Sequence, residues 1–408
     1  MLHRSLPTVL LVILLVSCQA GAASTGPTAS PNRSAFPLLP TSSTTFPETP
    51  GPTPLLSRTR TAIPIPPTPT SRQKTSEVSH TSEVFAATPT KPPITTLLFT
   101  GIIVPARCVQ AALDANGNPN YPYEEVQDII SQADIAVGTF NATMSDKIEH
   151  TGCWRTYQLV GSPDNADALA WAGFDVMSVA TNHIKDCGVM KSWCDFAMFD
   201  TLENMRRGGI QPAGAGADLD EALSPVVVTL NGVRFGFVSL GDSKLSPTVF
   251  AAEEQPGIAL LNEENMRKAI ADAREVADVV IALPHWGSED NLLPNWWQRE
   301  QAQYTVNAGA DLVVGNHTHV IQAFQTLVDP SRSQEVPVFY GLGNFVFDQG
   351  QRDHRQSIIL LVRFRGRNFL DYQLIPIHTD PDGRAHLAGP EEAAEILQRI
   401  EQANDWLD

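Results

Sequence analysis

Four of the ten histidines in this 408-residue chain fall in three short polar runs: Thr181-Asn182-His183-Ile184-Lys185-Asp186, His285-Trp286-Gly287 and Gly315-Asn316-His317-Thr318-His319. Imidazole is a common ligand for Zn, Mn and Fe, and it is also the side chain best suited to proton transfer near neutral pH. Several imidazoles gathered at one point need a cation or hydrogen-bond partners to be tolerated, and an Asn side-chain oxygen can complete such a set. Asp186 follows His183 by three residues, so its carboxylate can accept the Nδ1–H and fix the tautomer. The other ring nitrogen of His183 is then free to give a proton to a leaving group. His150, His354, His378 and His386 carry no such pattern and read as hydrogen-bonded structural residues.

The positioning elements follow from the hydrophobic pattern. Each histidine run follows a short apolar segment that reads as a strand: 174–180, 278–283 and 311–314. In open α/β sheets the loops at the carboxyl ends of parallel strands converge on one edge, where ligands bind. Runs far apart in sequence can therefore meet. Residues 95–100 read as a first strand, 134–138 as a second, 337–340, 357–364 and 369–377 as later ones. Asn231-Gly232 between 226–230 and 234–240 is a two-residue hairpin signal. Helical patterns cover 123–133, 164–172, 196–207, 263–275 (with Asn262 as N-cap), 296–307 and 391–406. This alternation predicts one α/β domain over 94–408.

The first 18 residues read as an export signal: Arg4, an apolar run over 9–16 too short to span a bilayer, then Leu15-Val16-Ser17-Cys18. That ending resembles a bacterial lipobox, which predicts acylation of Cys18 and attachment to the outer face of the cell membrane. Residues 19–93 are rich in Thr, Pro and Ser and cannot bury enough apolar surface to fold; they are expected to form a disordered, semi-rigid stalk. Of 45 acidic and 28 basic residues, three and seven lie in the first 95, so the rest carries a net charge of −21. Phosphate contacts need cations, which excludes nucleic acid as the expected partner. Cys108, Cys153, Cys187 and Cys194 are even in number in an exported chain, so at least one disulfide is expected, with three pairings open.

Asn182-His183-x-x-Asp186-x-Gly188, His285-Trp286-Gly287, Gly315-x-His317-x-His319-Val320 and Tyr340-x-Leu342-Gly343-Asn344-Phe345-x-Phe347-Asp348 together resemble the CapA family of bacterial capsule and poly-γ-glutamate synthesis proteins. The resemblance covers about residues 95–362. It implies a two-sheet α/β/β/α sandwich of the calcineurin-like metallophosphoesterase type, with a divalent-metal site (Mn, Zn or Fe) at the sheet edge. It implies that Asn182, His285 and His317 hold one metal and that His319 belongs to a second. His183 with Asp186 is the implied acid pair, Arg107 faces an anionic substrate, and Asn344 supports the site. Two carboxylates of that pattern are replaced: Ile102 follows Gly101 where an Asp is usual, and Asn141 occupies the slot of a Glu. Losing them leaves one ion or none, with Asp146, Asp242 and Glu289 as acids available to substitute. The implied function is synthesis, transfer or anchoring of an anionic surface polymer or its precursor. If active, the protein is a metal-dependent hydrolase or transferase; the alternative is a non-catalytic polymer- or ligand-binding lipoprotein.

Overall fold

The computed structural model describes residues 91–188, 193–245 and 248–407. The export signal, Cys18 and nearly all of the expected stalk lie outside the described residues. Two sheets face each other. The first runs Ala385–Leu387, Asn368–Thr379, Gln356–Arg365, Ile94–Ile103, Ile135–Phe140, Val176–Ser178, Gln211–Ala213, and Asn344–Val346 pairs beside its central strand Ile94–Ile103. The second runs Leu260–Leu261, Val233–Asp242, Val279–His285, Leu312–Val314, Gln334–Phe339, Phe324–Asp329, with Val226–Leu230 folded back on Val233–Asp242.

Alternation along the strands builds the layers, because successive side chains point to opposite faces of a sheet. Leu97 and Phe99 of the first sheet meet Phe235, Phe237, Val279, Ile281 and Leu283 of the second in an inter-sheet core. Leu98 and Ala136 face the other way, onto Val109, Leu169, Met198 and Leu202 of outer helices. Val280, Ala282 and Val313 likewise cover Met266, Ile270, Ala302 and Val306. The result is the α/β/β/α sandwich expected from the sequence. Within each sheet the inner strands are parallel, Ile94–Ile103 with Ile135–Phe140 and Val176–Ser178, and Val233–Asp242 with Val279–His285 and Leu312–Val314. Their carboxyl ends therefore share one edge of the sandwich.

Polar struts lock the two edges together. Ser178 Oγ and Ser239 Oγ are 2.8 Å apart across the sheets, and Asn316 donates to Thr139 Oγ1 at 2.8 Å while accepting from the Leu342 amide at 3.3 Å.

Several local expectations are met. The hairpin turns at Asn231 and Gly232, both with positive φ, and Asn262 accepts from the Asn265 amide at 2.8 Å as the cap of helix Glu263–Val276. Others are corrected. The pattern over 123–133 is a single 3-10 turn, Tyr121–Tyr123, followed by the short helix Gln127–Ser131. The strand expected over 174–180 is reduced to Val176–Ser178. Helix Cys108–Asn116 and strand Phe324–Asp329 were not anticipated. The cysteines pair Cys108 with Cys153 and Cys187 with Cys194.

Gly101 marks the closest approach at the site edge. The next amide, Ile102, donates to Gly343 O at 2.9 Å, and any Cβ on residue 101 would collide with that carbonyl. The neighbour is backbone and cannot swing aside, so Gly101→Ala should destabilise the protein by about 2 kcal/mol or more in chemical denaturation.

Candidate functional site

Three chain segments deliver lone-pair atoms to one point. Asn182 follows the strand Val176–Ser178, His285 ends the strand Val279–His285, and His317 follows Leu312–Val314. His285 Nε2 lies 3.1 Å from Asn182 Oδ1 and 3.1 Å from His317 Nδ1, with the two rings 4.7 Å apart edge to face. His285 and His317 are buried, and Asn182 is half-buried.

Around the centre, each further group has a fixed partner. His183 Nδ1 donates to Asp186 Oδ2 at 2.7 Å, and the same carboxylate oxygen accepts the Leu159 amide at 2.7 Å. Asn141 Oδ1 accepts the His183 amide at 3.3 Å, while its Nδ2 is buried without a partner. His319 Nδ1 is 2.8 Å from Asn344 Oδ1, and the Asn344 amide group is itself anchored by donating to Gln349 Oε1 and His354 O. Arg107 forms an ion pair with Asp348, donates to Thr156 O at 2.8 Å, and stacks 4.7 Å over the Phe347 ring.

A family model described as bacterial capsule synthesis protein PGA_cap matches residues 96–349. The chain belongs to this family. It is 28% identical over 289 residues to the capsule biosynthesis protein CapA of Bacillus anthracis, covering 69% of this chain and 67% of that relative. It is also 28% identical over 281 residues to the PGA biosynthesis protein CapA of Bacillus subtilis, covering 68% and 70%. Among solved structures it is similar to the NAD nucleotidase of Haemophilus influenzae, with a TM-score of 0.46, 12% identity, and coverage of 76% of this chain and 63% of that one.

The family's acid positions can now be read in space. Ile102 is buried within the first sheet, paired with Thr139 and Asn344, and offers no ligand. Asn141 stands at the end of the next strand in the role described above. Of the three acids available to substitute, Asp146 is exposed. Asp242 is buried and occupied by Gln301 Nε2 at 3.1 Å and the Lys244 amide at 3.0 Å. Only Glu289 reaches the centre's rim, with Oε1 3.9 Å from His319 Nε2.

Does a metal fit this PGA_cap member? Donor atoms about 2.1 Å from one ion lie about 3.0–3.4 Å apart. The Asn182–His285 and His285–His317 spacings, 3.1 Å each, match. Hydrogen bonds alone do not satisfy this group: a proton on His285 Nε2 can face only one of its two neighbours. His285 Nδ1 is buried without a partner in either tautomer. One ion fits; a second has only His319 and Glu289 to hold it. The group with the densest set of imidazole and carboxylate donors among the described residues lies elsewhere, at His378, Asp380 and His386. There, Arg355 Nη2 sits 2.6 Å from His378 Nε2 and Glu392 takes its Nδ1–H, so the would-be ligand atoms are already used and a guanidinium occupies the place of a cation.

Two cavities adjoin one another here. One, of about 560 Å³, is lined by Arg107, Arg155, Asp348 and His354 among others; the second, of about 290 Å³, by Asn182, His183, Lys244 and His317. Tyr157 and Glu289 line both. The disulfides fasten the rims. Cys108–Cys153 ties the Arg107 turn to the loop bearing Arg155 and Tyr157, and Cys187–Cys194 closes the loop after Asp186. Backbone strain concentrates here as well. Seven described non-glycine residues have positive φ; Arg107 and Asp290 line one cavity, Trp193 and His317 the other, and His319 adjoins Glu289. Such conformations cost about 1–3 kcal/mol each and cluster where function requires them.

Sequence reading missed Tyr157, Arg155 and His354, and offered Glu289 only as one of three substitute acids. Glu289 sits three residues past Trp286 on the same loop as His285, a proximity that was available as a signal. His354, taken as structural, does hold Asp290 at 2.6 Å but also lines the larger cavity.

Burial keeps the imidazoles neutral. Desolvation first, and then the neighbouring His317, His319 and His183, push His285 well below the usual range. His317 falls to about 3 and His319 to about 4, again chiefly through burial. The unfolded chain thus binds these protons more readily than the folded one, so stability is lost as pH falls from the ordinary histidine range near 6.5 towards those lowered values. Thermal melting of the metal-free protein should drop between pH 7 and pH 5, and His317→Asn should flatten that drop.

Proposed function

We propose that this protein works outside the cytoplasm, held to the membrane by an acylated Cys18 and a Thr/Pro/Ser-rich stalk, in synthesis, transfer or anchoring of an anionic polymer of the poly-γ-glutamate type. Family membership supports the capsule role, and the relatives' names speak of capsule and PGA biosynthesis. The observation that carries the chemical reading is that His285 Nε2 lies 3.1 Å from both Asn182 Oδ1 and His317 Nδ1. These three residues would hold one divalent ion, Mn, Zn or Fe. Bound there, it supplies Lewis acidity towards a carbonyl or phosphoryl oxygen. His183 protonates the leaving group, since Asp186 binds its Nδ1–H and turns the other nitrogen outward into the smaller cavity. Asn141 sets the His183 backbone, and Asn344 sets the His319 tautomer.

A second reading, a binding protein without turnover, is favoured by one observation: the two carboxylate slots are filled by Ile102 and Asn141. The tests separate the two. Purified protein should take up about one Mn or Zn per chain, and His317→Ala should weaken that uptake by at least about tenfold in equilibrium dialysis. Metal-loaded protein that turns over no chromogenic phosphodiester or γ-glutamyl amide supports the binding reading; absence of metal uptake by the wild type removes the centre from both. For the tether, Cys18→Ser should shift the protein from the membrane fraction to the soluble fraction in a bacterial host.

A further inference from the structure

The two cavities adjoin at Tyr157 and Glu289, which line both, and Asn182, His183 and His317 of the centre line the smaller one, so together they make a candidate cleft. The charges along this cleft are nearly all matched internally. Asp348 pairs with Arg107, Asp290 with His354, and Asp186 with His183. Glu289 faces His319, and its carboxyl is raised above the usual range by desolvation, against the opposing pull of His183.

The cations behave differently. Most Lys and Arg side chains of this acidic body are ion-paired; among the described residues only Lys91, Arg155, Lys244, Arg299 and Arg365 are not. Two of these five line the cleft, Arg155 in the larger cavity and Lys244 in the smaller. Among the described residues Arg155 has no side-chain partner, and the Lys244 ammonium has only the face of Trp297, 5.9 Å away. In a domain of net charge −21, a free cation is exposed to many carboxylates and is normally drawn to one. Two left unpaired in adjoining cavities mark places where an anion from outside is accommodated.

We propose that Arg155 and Lys244 are the two anion-holding ends of a cleft that receives an extended chain bearing repeated carboxylates, laid across the imidazole centre. Arg107 is not one of these ends: Asp348 already neutralises it. One long anionic ligand, rather than two small ones, fits cavities that adjoin at Tyr157 and Glu289. It places a link of the chain, not a terminus, beside His183. This inference rests on the polymer reading above and adds the residues that select the polymer.

The test uses the full chain and a γ-linked glutamate oligomer long enough to reach both cavities, titrated by calorimetry at low and high salt. Wild type should bind, with affinity falling as salt rises. Arg155→Glu and Lys244→Glu should each weaken binding by about fivefold or more, and the double variant by about twentyfold or more. Lys91→Glu, an equal change of charge at an exposed residue away from the cleft, should leave binding unchanged. Arg155→Gln and Lys244→Gln, which add no repulsion, should show the same order of effects at smaller size. Metal uptake and melting temperature should not move in any variant, since neither side chain supports the fold. Oligomer binding that the double variant leaves intact overturns this inference while the polymer reading stands. Loss from one variant but not the other overturns the two-ended cleft. A wild type that binds no oligomer overturns the polymer reading together with the inference.

Discussion

Imidazoles packed against one another at a dry sheet edge can stay there only while they are neutral. His285, His317 and His319 are each pushed down first by burial and then by neighbouring imidazoles, and Glu289 stands only at the rim, 3.9 Å from His319. Their lone pairs are therefore offered inward at neutral pH. That one condition decides what the centre can hold. It rejects extra protons, it welcomes a cation that needs neutral nitrogen and oxygen donors, and it makes the surrounding scaffold responsible for holding in place groups that would otherwise drift apart.

The scaffold meets that demand with rigid rather than adaptable parts. The three donors come from the carboxyl ends of parallel strands in two different sheets, so their spacing is set by how the sheets pack. Asn316 and the Ser178–Ser239 pair bolt the sheets together within a few residues of the donors. Trp286, next to His285, is fully buried, stacks on Tyr340 and donates to its carbonyl at 2.9 Å. His317 and His319 hold positive φ on the loop beside these contacts. The cleft rims, by contrast, are long loops with exposed aromatics such as Tyr157 and Trp193, and disulfides do for them what strands do for the centre.

Much of this was readable in the sequence where one local rule dominated. The histidine runs follow strands because apolar segments end there, Asn231-Gly232 turns because both residues tolerate positive φ, and Asn262 caps because its side chain has an amide to receive. The failures have equally local causes. Residues 123–133 carry helical apolar spacing, but Pro122 and the buried Tyr123 commit the start to a tight turn, and only one short helix follows. Helix Cys108–Asn116 begins at Arg107 with positive φ and no side-chain cap, so no start signal exists. Strand Phe324–Asp329 is a polar edge whose pairing with Gln334–Phe339 is set by tertiary contact. Arg155 and Lys244 stood on loops without pattern. What makes them notable is the pairing state of their neighbours, and pairing is a property of the folded chain.

The replaced carboxylates bear on charge more than on geometry. A ligand set of one amide and two imidazoles leaves the full charge of a bound dication uncompensated in its first shell, whereas the usual acids would have cancelled part of it. The fold answers by keeping the remaining acids of the cleft occupied: Asp348, Asp290 and Asp186 are each committed to a protein cation or imidazole. An ion at Asn182, His285 and His317, with Lys244 in the same cavity and Arg155 in the adjoining one, would thus present positive potential on an otherwise acidic surface. Low local dielectric strengthens its attraction for an anionic ligand. The same loss that weakens a two-ion clamp therefore favours retention of a polyanion, and both the catalytic and the binding readings draw on that one electrostatic consequence.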